Sequence, residues 1–410
     1  MFEQQLRFAA AAISSGNLAA GEVVCRDIVD RDPRNAAALN FLGVIAVQVG
    51  VTDQAATYFK IAARADPNND QVKNNLKKLR KHTRIERAKA PGQRYLLAKS
   101  WGFGFWSDVS QVLGNLLLAE ITNRIPVIHW GTNSLFGDGL SGRDAFKLHF
   151  EPVSTVSLVD LAGLQGATYF PQKWNATNLA ADDVNKWHGT DSRAAGLYFL
   201  ARQESVAVSD FYVGVVDLMP WLPTIHPLHG KPIRQVYRYL IEKYLRPVES
   251  VRRACDAFFS DHLNQGPFVA VHMRGSDKAQ EDNQLHEKNR SYFALIDEID
   301  PTWRIFLLTD DEQLRAEMTN VYGDRIITID CQRTSTATGV HYLPSISRVK
   351  AGHEVMTDTY LALRANRFIG NGSSSVSAMI DVLKDWQAEE ASLIGQSILL
   401  QRNLYIHVRE

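Results

Sequence analysis

The sequence predicts an α/β protein of the doubly wound kind, with an all-α repeat in front of it. Three observations carry this expectation. Four short apolar runs in the C-terminal half break into polar residues and alternate with helical stretches: Phe268 to Val271, RIFLLTDD at 304–311, DRIITID at 324–330 and NRFIGNGSSSV at 366–376. That alternation is the pattern of a parallel sheet covered by helices. A further strand–helix–strand stretch opens at Arg94, and residues 1–80 repeat themselves at a fixed offset.

The repeat comes first. Gly16 recurs as Gly50, Asp32-Pro33 as Asp66-Pro67 and Phe8 as Leu42, each 34 residues on (50 − 16, 66 − 32, 42 − 8). A period of 34 is that of the tetratricopeptide helix pair. The second unit carries the pattern best, in Leu39, Leu42, Gly43, Gly50, Ala55, Phe59, Ala62 and Pro67. Val72, Leu76 and Leu79 share one face of a third half-unit. Such units stack into a short solenoid with one concave face. It serves to dock a protein partner or a second copy of the chain, or it is a packing appendage. Lys73, Lys77, Lys78, Arg80, Lys81, Arg84, Arg87 and Lys89 make the next helix basic. No aromatics interleave with them, so this is a solvated face and no nucleic acid is expected. Pro91-Gly92 marks a boundary. The expected domains are 1–90, 91–245 and 246–410.

From Arg94 the period changes. Tyr95 to Ala98 is a candidate strand, followed by the turn Trp101-Gly102-Phe103-Gly104. Ser107 is placed to cap a helix whose Val109, Val112, Leu113, Leu116 and Leu117 lie on one face. Ile125 to Ile128 is the next strand. The glycine turn either admits a substrate close to the backbone or is a tight bend. Residues 131–230 are loop-rich and hold Trp174, Trp187, Trp221, His188, His226 and His229. Exposed, those aromatics would suit sugar faces; buried, they form a core of irregular loops. Residues 232–265 look helical, and Glu389 to Glu410 are expected to cross back to the first half.

Hydrophobic content of 45% in 410 residues is ample for two or three cores. Lys+Arg and Asp+Glu are both 45, so no net charge draws the chain to nucleic acid or an anionic membrane. Cys25, Cys255 and Cys331 are far apart and odd in number, which fits neither a disulfide framework nor zinc spacing. A reducing, cytoplasmic setting is expected. The N-terminus lacks the basic leader and long apolar core of a signal peptide, and no apolar stretch is long enough to span a bilayer.

Two places carry candidate chemistry. The apolar run Phe268 to Val271 breaks into His272, Arg274, Ser276, Asp277 and Lys278. An arginine at the carboxyl end of a buried parallel strand lies at the crevice where such sheets bind ligands. Its guanidinium is a fork of donors suited to phosphate oxygens. A strand leaving into a solvated loop is the plainer alternative. Gly370, Gly372, Ser373, Ser374 and Ser375 form a small-residue turn into a helix. The unpaired N–H groups and positive dipole end there suit a diphosphate, although serine is also an ordinary helix cap. Asp310 and Asp311 are adjacent on a strand, so they face opposite ways and make a poor metal pair; one of them is suited to cap the following helix. His272, Glu281 and Asp282 are the base candidates, His272 reading first as a core histidine bonded to backbone.

Four segments resemble known enzymes. HMRGSDK is similar to the His-Val-Arg-Arg-Thr-Asp-Lys motif of α1,6-fucosyltransferases of the core and nodulation type, and to the motif of protein O-fucosyltransferases. LLTDDEQL resembles the strand and Thr-Asp-Asp that follow in those enzymes. HEVMTDTYLALRANRFIGNGSSSVSAMIDVL is similar to their last nucleotide-binding helix, strand and Ser-Ser loop, and WGFGFWSDVSQVLGNLLLAEITNRIPVI to the glycine-rich opening of their catalytic region. The ordered set covers most of 95–385.

The resemblance implies a GT-B-like pair of Rossmann-type domains. It implies an inverting, metal-free glycosyltransferase using GDP-fucose as donor, with no other cofactor, and a glycan or protein as acceptor. Arg274 matches the arginine that binds the donor β-phosphate. Asp358 aligns with the acid that contacts guanine or ribose. Gly372, Ser373, Ser374 and Ser375 match the loop at the diphosphate, with His272 and Asp277 beside it. Lys278 and the carboxylates Glu281 and Asp282, with the spacing favouring Asp282, stand where the catalytic groups fall. Gly275 departs from the α1,6 pattern, which has a second arginine there. Two other functions stay open: a tetratricopeptide-fused glycosyltransferase using a different nucleotide sugar, and a non-catalytic scaffold.

Overall fold

The computed structural model describes residues 2–82, 92–140, 142–182, 193–276 and 285–402. Five helices come first: α1 (Glu3–Ser14), α2 (Leu18–Arg31), α3 (Ala36–Gln48), α4 (Thr52–Ala65) and α5 (Asp70–His82). The starts of α2 and α4, and those of α3 and α5, are each 34 residues apart (52 − 18, 70 − 36). The sequence offset is thus an offset of whole helices. Asn17 and Asn35 cap α2 and α3 by accepting from the N–H groups of Ala20 and Ala38, which ends each turn cleanly. Gly43 lies under the Phe59 ring, where a Cβ would collide with it. Small residues at the crossing therefore let α3 and α4 touch.

The first sheet lies beyond the helical repeat. It contains β1 (Tyr95–Lys99), β2 (Ile125–His129), β3 (Tyr169–Phe170) and β4 (Val206–Ser209), in the order β2-β1-β4-β3. All its pairs are parallel. Helix α6 (Phe105–Ile121) crosses from β1 to β2. Gly114 on this helix sits against the Val213 carbonyl, with no room for a Cβ. The N-cap of α6 is Gly104 rather than Ser107, which falls in the first turn. No side chain caps the helix; Asp108 folds back to accept from Gly102 and Phe103 N–H at 2.9 and 3.1 Å and so fixes the glycine turn. The short α7 (Leu158–Ala162) and α8 (Val215–Leu218) punctuate the loop-rich middle.

Helices α9 (Ile233–Tyr244) and α10 (Glu249–Phe258) lead to the second sheet. Its strands are β5 (Phe268–His272), β6 (Arg304–Leu308), β7 (Ile326–Ile327), β8 (Arg367–Asn371) and β9 (Ala391–Ile394), in the order β7-β6-β5-β8-β9. Again all pairs are parallel. The crossovers are α11 (Leu285–Asp297), α12 (Glu312–Tyr322), α13 (Arg348–Ala362) and α14 (Ser375–Leu383). Strands β5 and β8 are buried along nearly their whole length, as parallel strands between helix layers must be. One apolar cluster runs through both sheets, from Leu96 and Ala98 to Phe268, Phe306 and Phe368.

The structure decides between the two readings of the loop-rich middle and refines that of the chain's end. Trp174 and Trp221 are buried, at 4% and 1% exposure, so they fill the irregular core and offer no stacking surface. His226 bonds Glu120 at 2.9 Å and His229 bonds the Leu222 carbonyl at 3.0 Å. Trp187 and His188 lie outside the described residues. The chain after Glu389 first adds β9 to the second sheet and only then returns, where Tyr237 donates to the Leu399 carbonyl and Arg402 pairs with Asp30. Among the described residues no helix is long and apolar enough to cross a membrane, and all three cysteines are free.

The helical repeat is joined to the α/β body through a buried, partly polar face. Ile13, Leu18, Ala19 and Phe59 share an apolar cluster with Ala195, Leu197 and Trp221. Arg26 lies over the Trp221 ring, 5.3 Å from its centroid, and pairs with Glu22 at 2.6 Å. Tyr198 accepts from the Ala19 N–H, and Gln54 donates to the Pro220 carbonyl.

Candidate active site

The loops at the carboxyl ends of the second sheet face the start of α6 across a cavity of about 640 Å³. Strand β5 delivers His272 and Arg274 to it, β6 delivers Thr309 and Asp310, α13 delivers Asp358, and the turn from β8 into α14 delivers Ser373, Ser374 and Ser375. Of the residues singled out in the sequence, these six predicted positions, His272, Arg274, Asp358 and Ser373 to Ser375, line one cavity. Gly372 stands just behind, where a Cβ would run into the Gln396 carbonyl. Asp277, Lys278, Glu281 and Asp282 lie outside the described residues.

Arg274 is ion-paired to Asp310. The same carboxylate accepts from Ser276 Oγ at 2.5 Å and Gly275 N at 3.3 Å. Its neighbour Asp311 caps α12, accepting from the N–H groups of Gln313 and Leu314 at 2.8 and 3.1 Å, and also takes the Ser276 N–H. The two adjacent acids do face different partners: one clamps the arginine loop, the other starts a helix. Ser276 adopts a left-handed φ of +47° within this clasp. A non-glycine residue in that region costs energy and persists where its surroundings fix it. Gly275 also has a physical reason, since a Cβ there would meet the Asp311 carboxylate. The backbone at Gly275 and Ser276 is thus held tightly by two acids.

His272 is buried, and its Nδ1 lies 2.6 Å from Ser377 Oγ, which also accepts from the Asn371 N–H at 3.0 Å. Its partner is a side chain rather than the backbone expected from the sequence. Burial and then the Arg274 charge push its pKa down to about 3, so the ring is neutral at ordinary pH and a weak proton acceptor. Tyr292 donates to the His272 carbonyl at 2.6 Å and pins the end of β5.

Asp358 behaves in the opposite sense. Its Oδ1 is buried with no hydrogen-bond partner among the described residues. Burial pushes its pKa up to about 8, with Arg333 opposing the shift and Glu354 adding to it. An unsatisfied carboxyl on a cavity wall is costly to keep and is suited to a ligand donor.

The start of α14 uses no side-chain cap: Ser374 occupies the N-cap without bonding the helix. Ser373 instead donates its hydroxyl to Asn371 Oδ1 at 2.8 Å. Ser375 Oγ lies 2.7 Å from Ser107 Oγ on α6, and Trp106 Nε1 donates to Thr359 Oγ1 at 2.8 Å, so the two halves meet at the cavity floor. Among the described residues no group of three or more His, Cys, Asp or Glu is placed to hold a metal ion.

The wall opposite contains Trp101 and Phe103 of the glycine turn, for which a substrate contact was one of two readings; sequence reasoning missed the Asp310 clamp and, on that wall, Tyr212 and Arg193. The clamp needs the pairing of β5 with β6, in which His272 lies beside Leu308. The Thr-Asp-Asp after an apolar run was its only trace in the sequence.

No family model matches the sequence, and no curated protein is significantly similar to it. Solved structures do resemble it. Fucosyltransferase NodZ from Bradyrhizobium is 18% identical, over 72% of this chain and 94% of that one, with a TM-score of 0.50. A mutant of Arabidopsis thaliana FUT1 in complex with GDP is 12% identical over 83% of this chain and 78% of that one, TM-score 0.45. POFUT1 in complex with GDP-fucose is 14% identical over 75% and 100%, TM-score 0.44. The likeness to the Bradyrhizobium enzyme is one of fold: this chain has a fucosyltransferase-like α/β architecture behind its helical repeat.

Proposed function

We propose that the protein is an inverting, metal-independent glycosyltransferase that moves fucose from GDP-fucose to a hydroxyl of a glycan or protein acceptor. One observation carries this reading: Arg274, Asp358 and the uncapped helix start at Ser373 to Ser375 converge on one cavity at the carboxyl ends of a parallel sheet. Arg274 binds the β-phosphate and stabilises it as the sugar leaves. The Ser373–Ser375 N–H groups, shaped by Gly372, hold the diphosphate at the positive end of α14. Asp358 accepts from guanine or ribose, and neutral His272 supports the arginine loop from behind. The acceptor oxygen attacks the anomeric carbon as the bond to the diphosphate breaks, and a carboxylate takes its proton. Asp282 or Glu281 is that base, with Lys278 and Asp277 beside the diphosphate.

In this reading residues 91–245 form the acceptor side and 246–410 the nucleotide-sugar side of a GT-B pair. Residues 1–90 are tetratricopeptide units that recruit a partner or a second copy of the chain, and the setting is cytoplasmic. Metal independence is supported by the employment of Asp310 and Asp311 in clamp and cap. Gly275 favours a second reading, transfer from another nucleotide sugar, because the α1,6 enzymes carry arginine at that place. Hydrolysis and transfer assays with GDP- and UDP-sugars, with and without chelator, test the proposal; activity confined to a UDP-sugar would replace it with the second reading.

A further inference from the structure

The wall of the cavity opposite the proposed donor seat holds a guanidinium that the donor reading does not use. Arg193 lies over Trp101 and Tyr212, 5.5 and 4.9 Å from their ring centroids, and all three line the cavity. Its Nε is buried with no hydrogen-bond partner, and its side chain makes no hydrogen bond or ion pair among the described residues. Ring faces hold a guanidinium in place without neutralising it. The remaining N–H groups then form a flat fork with which no carboxylate among the described residues pairs, Asp217 being near enough only for the two charges to interact, and such a fork is the shape a carboxylate fills two-pronged.

This fork is offset from the diphosphate seat. Ser375 at that seat touches Ser107 at 2.7 Å, and Ser110, one turn further along α6, meets the Tyr212 hydroxyl at 3.3 Å. Arg193 lies on the Tyr212 ring. A helical turn of about 5.4 Å and a tyrosine ring therefore separate it from the phosphates. Tyr342, 54% exposed, also lines the cavity and presents a flat ring of the kind a pyranose face covers.

We propose that Arg193 binds a carboxylate of the acceptor, which is an acidic saccharide of the uronate class. The inference rests on the donor-site reading above, since it assigns the rest of the same cavity. The test is calorimetry on the full chain with tetragalacturonate, its neutral methyl ester and a hexaglutamate peptide, each with and without saturating GDP. The tetragalacturonate should bind at least tenfold more tightly than its methyl ester. Arg193→Gln should abolish that preference, a loss of about ten- to a hundredfold for a charge-assisted pair, and Arg193→Lys should recover only part of it. GDP affinity and the melting midpoint serve as fold controls for both variants. Equal binding of acid and ester, no binding of either, or tighter binding of hexaglutamate overturns the proposal. So does an equal loss of GDP affinity in Arg193→Gln, which would assign the fork to the diphosphate. Failure of the unaltered protein to bind GDP, with the carboxylate preference intact, would remove the donor reading and leave the Arg193 assignment standing.

Discussion

The Asp310 carboxylate, at the end of β6, closes on the guanidinium of Arg274, just past the end of β5. The arginine is therefore oriented before any ligand arrives. Preorganised charge is worth most where a leaving group develops charge. Arg274→Ala should cut transfer about a hundredfold or more while the protein stays folded. Arg274→Lys should rescue poorly, because a point charge replaces a fork. Asp310→Ala removes the ion pair to Arg274 and the bond from the Ser276 hydroxyl, and should lower kcat/KM by about tenfold through lost positioning. Steady-state kinetics with circular dichroism as the fold control check all three.

Asp358 gives the pH dependence. Its pKa is raised to about 8 in the folded chain against an ordinary value of 3.8. The folded state thus holds a proton there that the unfolded chain releases, so this group's contribution to stability falls as pH rises from about 4 to 8. Nucleotide N–H or O–H donors need the ionised carboxylate. GDP affinity should therefore rise with pH by roughly tenfold per unit below 8 and level off above it. Asp358→Asn should flatten that profile. Binding is the better readout, because Asp217, at the junction with the repeat, is also pushed up to about 8 by burial and the Glu22 charge and would titrate in a stability curve. His272, held near 3, does not titrate in this window.

The doubly wound half was legible in the sequence because its strands are buried on both faces and read as continuous apolar runs. The 34-residue offset was legible for a similar reason: each helix pair needs small residues at the same crossing, as Gly43 under Phe59 shows. Burial in the loop-rich middle was not legible. Trp174 and Trp221 have the composition of stacking residues, and only the fold of irregular loops over the sheet decides that they are core. The cavity's two walls come from segments far apart in the chain, such as Trp101 and Arg274, so no local pattern announces that they meet. The four charged positions from Asp277 to Asp282 rest on the sequence resemblance.

The repeat should matter for solubility before it matters for recruitment. Its α2 face covers Trp221, Leu197 and Ala195, and the Glu22–Arg26 pair is buried against them. A chain beginning near Pro91 should expose this apolar face and aggregate in light scattering. Trp221→Ala in the full chain should cost about 3–5 kcal/mol, as for other large-to-small core changes, read as a lower urea midpoint. A soluble, monodisperse truncated chain that binds GDP normally would show that the junction is an accessory contact.

The central claim is that Arg274, Asp358 and the Ser373–Ser375 turn form a guanine-nucleotide diphosphate site. Its most direct test is calorimetric titration of the full chain with GDP and with UDP, beside the Arg274→Ala variant. GDP should bind to one site per chain, UDP at least tenfold more weakly, and Arg274→Ala should remove most of the GDP affinity without unfolding the protein. Binding of GDP that is unchanged in a folded Arg274→Ala protein, or preference for UDP, would contradict it.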